Sequence, residues 1–169
     1  MSEIVNKIAK SPLITFNLED FYPSGERKQI DIKDWLFQGI VLKEKDFRAD
    51  LKSHDWSNYK GCYVALYCST DAIVPSWAYL LITTYLNDVA NRVVYGDLEL
   101  LNSILYEEQI QNLDVSIYQD KPLIIKGCSN KPVPENAYLM ALQKLQPVAK
   151  SIMFGEACSA VPLYKRKNR

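Results

Sequence analysis

The chain has 169 residues, 48% apolar and 24% charged, and its 20 basic side chains balance its 20 acidic ones. That is enough for one domain with its own core, and too apolar for a disordered chain. With zero net charge, no general field draws it to nucleic acid or to a membrane surface.

No apolar run approaches the length of a bilayer-crossing helix. Glu3, Lys7 and Lys10 interrupt the N-terminus where a signal peptide needs an unbroken apolar stretch. A cytoplasmic protein without nucleic-acid or membrane partners is expected. Its four cysteines are then expected to be reduced, and suited to metal binding or thiol chemistry rather than disulfides.

Residues 1–60 read as mixed. "LITFNLEDF" (Leu13–Phe21) has the composition of a strand, and "YPSGER" that of a turn. "KQIDIKDWLFQGIVL" alternates well enough for one bent strand or two short ones near Gly39. "KEKDFRADLKSHDW" spaces Phe47 and Leu51 as a short helix does.

Residues 61–160 have a cleaner rhythm. "CYVALYC" (Cys62–Cys68) is an apolar strand. "VPSWAYLLITTYLNDVA" is a helix with Trp77, Leu80, Leu81, Thr84, Tyr85 and Asp88 at helical spacing and Pro75 in its first turn. "RVVYG" is a strand, and "DLELLNSILYEEQIQNL" a helix capped by Asp97. "VSIY" reads as a small extra strand and "KPLIIKG" as another core strand. "VPENAYLMALQKLQ" is a helix with Tyr138, Leu142 and Leu145 on one side. "SIMFG" is the last core strand, and "VPLY" an edge segment.

No linker, low-complexity stretch or long-period repeat stands out. Strands alternating with helices predict one α/β domain over 1–169. Its largely parallel sheet would be flanked by helices, with extra N-terminal strands, antiparallel at an edge. "YKRKNR" (164–169) is expected as a solvated basic tail, with anion binding as the alternative.

Three cysteines share a local setting: "YCSTDAIVP" around Cys68, "KGCSNKPVP" around Cys128 and "EACSAVP" around Cys158. Each lies at or just beyond the predicted C-terminal end of a strand. In one parallel sheet those ends form a single edge, where ligands bind. Neighbouring strands lie about 4.8 Å apart, so three thiolates could converge on a metal with bonds of about 2.3 Å. After Cys68 and Cys128 a helix begins at the proline, and its N-terminus favours thiolate. The third copy has no helix after it. Cys62 precedes Cys68 by roughly 20 Å of extended chain and reads as a buried apolar residue. The alternative is three structural cysteines with no shared role, since no C-x-x-C pair is present.

A fourth ligand has three candidates. His54 is the single histidine, in "KSHDWSNYKG", with a structural role as its alternative. Asp71 follows Cys68 in the same loop, where it could instead cap the helix. Glu156 stands in "FGEACS" just before Cys158. Lys126 and Lys131 flank Cys128 and could lower its pKa or hold an anion. The chain has no P-loop, no G-x-G-x-x-G and no G-x-S-x-G.

"DIKDWLFQGIVLKEKDFR", "HDWSNYKG", "CSTDAIVPSWAY", "KGCSNKPVP" and "QPVAKSIMFGEACSAVPLYKRK" closely resemble the bacterial family of domain of unknown function 2480, over nearly the whole chain. The resemblance implies a small single-domain bacterial protein and gene neighbourhoods concerned with iron–sulfur cluster assembly. It supplies no catalytic residues.

Three functions follow from these readings. The preferred one is a metal-binding protein using Cys68, Cys128 and Cys158, completed by Asp71, His54, Glu156 or water. Sulfur ligands favour zinc or iron, and an open position would allow catalysis or transfer to a protein partner in metal or cluster handling. The second is a metal-free thiol enzyme with Cys128 as nucleophile or redox centre. The third is a non-catalytic anion-binding or scaffold protein.

Overall fold

The computed structural model describes residues 12–127 and 130–167. Its strands are β1 (Ile14–Asn17), β2 (Arg27–Asp31), β3 (Tyr63–Tyr67), β4 (Arg92–Tyr95), β5 (Pro122–Lys126), β6 (Ser151–Glu156) and β7 (Ser159–Lys165). Its helices are α1 (Glu44–Ser53), α2 (Ser76–Leu86), α3 (Leu98–Gln111) and α4 (Glu135–Leu145). The result is the expected α/β class, mostly parallel and flanked by helices.

The strands form two sheets, ordered β1-β5-β6-β7 and β2-β3-β4. Every pairing between the named strands is parallel except β6 with β7. The antiparallel strand is therefore C-terminal, and the N-terminal strands β1 and β2 are parallel to their partners. A two-residue link joins β6 to β7, and so short a connection reverses the chain. Pro162 is tolerated because β7 is the last strand of its sheet.

The chain divides into two compact units: a split unit, Met1–Pro23 with Ser103–Arg169, and a continuous unit, Ser24–Asn102. The split unit buries Phe16, Leu18, Tyr106, Leu123 and Leu145. The continuous unit buries Ile32, Phe47, Leu51, Leu66 and Leu86. Burying each such side chain contributes about 1.5–3 kcal/mol.

Short polar side chains set where the strands stop. After β1 the Asn17 side chain accepts the Glu19 N–H at 3.2 Å, and Leu18–Phe21 coil into a 3-10 turn. After β2, Asp31 Oδ1 accepts the Lys33 N–H at 3.1 Å, and Ile32–Trp35 do the same. Such turns compete with extended backbone, so neither predicted strand runs on. "VSIY" is also a 3-10 turn, Ser116–Tyr118, with Asp114 Oδ1 on the Ser116 N–H at 2.9 Å. Asp97 caps α3 as expected, accepting the Leu100 N–H at 2.8 Å.

The buried face of α2 is Ala78, Ile82 and Leu86, and that of α4 is Ala137, Ala141 and Leu145. The stripe expected in α2 is rotated away from this face, leaving its Leu80 66% exposed, whereas of the α4 stripe Leu145 is buried. Alanine marks the helix face that approaches its packing partners most closely, so side-chain size misled the sequence reading.

The two units contain the same motif, a long-period repeat that the sequence reading missed. At one constant displacement in numbering, Phe47 corresponds to Tyr106, Leu51 to Ile110, Asp55 to Asp114 and Tyr59 to Tyr118. Val74-Pro75, Ala78-Tyr79-Leu80, Leu86, Val89-Ala90 and Gly96 recur as Val133-Pro134, Ala137-Tyr138-Leu139, Leu145, Val148-Ala149 and Gly155. The hydrogen bonds recur as well. Gly61 N–H reaches Val89 O and Asp120 N–H reaches Val148 O, at 2.8 and 2.9 Å. Gly96 and Gly155 both hold positive φ, 141° and 116°, a region open to glycine.

Candidate functional site

The repeat sets the register of the cysteine loops. β3 and β5 correspond under the same displacement as α2 and α4, so the loops between them, 68–75 and 127–134, have equal length. Cys68 therefore corresponds to Gly127, and Cys128 to Ser69. The shared Cys-Ser wording is offset by one residue between the two loops.

Packing gives a reason for the offset. Tyr138 lies over Gly127, where an added Cβ would come within 2.6 Å of the ring carbon Cζ. The corresponding tyrosine, Tyr79, leaves room for the Cys68 side chain and feels its charge.

In the continuous unit, Cys68 follows β3 and is half-buried. Its sulfur lies 3.6 Å from Thr70 O and 3.4 Å from Thr70 Oγ1. That hydroxyl donates to Gly39 O at 2.7 Å. Asp31 Oδ1 accepts the Ser69 N–H at 3.1 Å, tying the end of β2 to this loop. Burial pushes the Asp31 carboxyl up, but hydrogen bonds from the side chain and backbone of Ser69 and from Lys33 outweigh it, so its pKa is lowered. Burial, helped by Tyr95, Cys68 and Asp31, pushes the Tyr79 phenol up to about 12.

The split unit repeats the brace with another residue. Glu19, itself buried, accepts the Asn130 N–H on Oε1 at 3.1 Å. Lys126 and Glu156, at the ends of the parallel neighbours β5 and β6, pair at 2.7 Å. Cys158 is exposed in the turn between β6 and β7. Lys131 lies 5.4 Å from the centre of the Tyr22 ring. Both lysines flanking Cys128 thus have partners of their own. Cys128 lies outside the described residues.

The premise of one shared sheet edge is corrected: Cys68 follows a strand of the three-stranded sheet, and Cys158 a strand of the four-stranded one. Asp71 is exposed in the Cys68 loop. His54 sits among Trp35, Trp56 and Tyr59, with ring centres 5.2, 4.6 and 5.9 Å away. Among the described residues, no three His, Cys, Asp or Glu side chains stand close enough to hold a metal ion. Cys62 is buried as expected, and burial, with Glu26 beside it, raises its thiol pKa.

The braces Asp31 and Glu19 and the Tyr79–Tyr95 pair went unread in the sequence. The doubled Val-Pro-x-x-Ala-Tyr-Leu was the signal that could have found them, because it aligns the units.

No helix among the described residues is long and apolar enough to cross a membrane. Comparison with curated proteins and with solved structures finds no match. The model of a family described as a protein of unknown function, DUF2480, matches residues 2–166. The chain therefore belongs to that family.

Proposed function

We propose that the protein binds a thiophilic metal ion, zinc or iron, at the carboxyl edge of its four-stranded sheet. Cys128 and Cys158 are its thiolate ligands and Glu156 its carboxylate ligand. The carrying observation is the Lys126–Glu156 pair at 2.7 Å, which marks the ends of adjacent parallel strands. Cys128 follows Lys126, and Cys158 follows Glu156, at the same short remove. Strands about 4.8 Å apart can deliver two sulfurs to one ion with bonds of about 2.3 Å. Sulfur donors select zinc or iron over magnesium or calcium.

Cys68, Asp71 and His54 are not part of this site. A shell with three protein ligands leaves a position for water or for a group on a partner protein. That suits metal or cluster handling, in line with the neighbourhoods that the family resemblance implies.

Elemental analysis of untagged protein purified without chelator tests this, on wild type, Cys128→Ser, Cys158→Ser and Cys68→Ser. Near-stoichiometric zinc or iron should be lost in the first two variants and kept in the third. A wild type that stays metal-free after reconstitution under reducing conditions overturns the proposal. Loss in all three variants would favour a three-cysteine site.

A further inference from the structure

We propose that the outer edge of β4 binds an extended peptide segment of a partner protein. The segment adds to the sheet as an antiparallel strand and seats a branched apolar side chain beside Tyr95. The site lies in the continuous unit, on residues separate from the metal site proposed above.

The repeat shows what such an edge receives. β4 corresponds to β6: Val93, Val94 and Tyr95 stand where Ile152, Met153 and Phe154 do. β6 carries β5 on one side and the antiparallel β7 on the other. β4 has β3 on one side and, among the described residues, no strand on the other. The rings pack alike in both units. Tyr138 meets Phe154 edge-on at 5.7 Å, and Tyr79 meets Tyr95 at 5.0 Å. In the split unit, Val161 of β7 stands opposite Phe154. Tyr95, with no described strand opposite it, is 67% exposed against 40% for Phe154.

The edge itself is suited to pairing. Gly96 donates its N–H inward to Leu66 O at 3.0 Å, so alternation along the strand turns the Tyr95 N–H outward. β7 carries devices that blunt an edge: Pro162, Lys165 and a shift of register beside Met153. β4 reads Arg-Val-Val-Tyr, without proline or lysine, and pairs with β3 in unbroken register. Beside it, Val74, Ser76, Tyr79, Leu80 and Tyr95 line a cavity of about 420 Å³. Added strands draw affinity from the backbone and specificity from such sockets. Charge sets the direction. Arg92 and Asp97, both exposed, stand at the amino and carboxyl ends of β4. An antiparallel partner therefore fits with a basic amino end and an acidic carboxyl end.

The probe is the acetylated, amidated peptide Lys-Ala-Val-Pro-Leu-Tyr-Glu, which is β7 with its end residues changed to match Asp97 and Arg92. Amide NMR of the isotope-labelled full chain follows its binding. Saturable shifts should centre on Val93 and Tyr95, and the Tyr95 amide should gain protection from hydrogen exchange. The same peptide N-methylated at every residue except proline keeps its side chains and should not bind. Leu80→Ser, at an exposed position, should weaken binding by about tenfold. Ile73→Ser, exposed and lining a different cavity, should leave it unchanged. Exchanging the peptide's Lys and Glu should weaken it by about threefold at low salt. No saturable shift in β4, or equal binding by the N-methylated peptide, overturns the proposal. Shifts confined to β6 would show exchange with β7 and overturn it too. So would a peptide-free chain that sediments as a dimer with its β4 amides already protected, because a second copy would then hold the edge. Equal binding of the charge-exchanged peptide overturns the direction given to the strand.

Discussion

Asp31 Oδ1 accepts the backbone N–H of Ser69 at 3.1 Å, so the last residue of β2 holds the loop that carries Cys68. The same oxygen also accepts the Lys33 N–H that ends the strand. One carboxylate therefore stops a strand and shapes a loop. Asp31→Ala should cost about 1–3 kcal/mol at neutral pH through these lost bonds, measured by urea unfolding.

The pH dependence of that cost has a definite sign. The folded pKa of Asp31 lies below its ordinary value of 3.8. Its contribution is complete above 3.8 and is lost as pH falls through the lower folded value. The stability gap between wild type and Asp31→Ala should therefore close in acid. A gap that stays constant well below 3.8 would show that the charged carboxylate is not what holds the loop.

Gly127 is kept free of a side chain by Tyr138. Gly127→Ala should destabilise by about 1–3 kcal/mol through overpacking. The new Cβ would fall on the tyrosine hydroxyl and within 2.6 Å of Cζ. Tyr138→Phe removes the hydroxyl, so the double variant should lose less than the sum of the two single losses. Strict additivity in denaturant unfolding would show that the hydroxyl contributes nothing to the clash.

The thiols should react in the order of their exposure. In a Cys128→Ser chain, a disulfide reagent should modify Cys158 first, Cys68 more slowly and Cys62 last. Cys158 is exposed, Cys68 half-buried and Cys62 buried, and the Cys62 thiol is further quieted by its raised pKa. Peptide mapping of the partly modified protein reads the order. Early loss of Cys62 would contradict the packing around β3.

The basic C-terminal run is not wholly a solvated tail. Tyr164 and Lys165 belong to β7. Arg166 pairs with Asp120 and donates to Pro147 O and Val148 O at 3.1 and 2.9 Å. Arg166→Ala should lower the thermal midpoint more than Lys167→Ala does. Added salt should shrink the difference by screening the ion pair without abolishing it, because the carbonyl bonds remain. Equal midpoints for the two variants would show that Arg166 anchors nothing.

Most elements were legible because their signals are local. "YVALY" and "PLIIK" are apolar runs of strand length, and Val-Pro before each of α2 and α4 marks a helix start. The misread segments are those where a side chain redirects its own backbone. Asn17 and Asp31 end strands that composition would continue. Among the site candidates, Glu156 beside the end of β6 was legible from order along the chain. The placement of His54 in an aromatic cavity was not, because Trp35 reaches it only through folding.

What the sequence determined by itself is the α/β class, the parallel habit and the burial of Cys62, since apolar periodicity encodes them residue by residue. What the tertiary structure decided is which strands share a sheet. Two β-α-β motifs of the same layout offer similar apolar faces, and only packing selects β5 as the partner of β1 and β3 as the partner of β2. That choice puts Cys68 and Cys158 after strands of different sheets, however alike their sequences look.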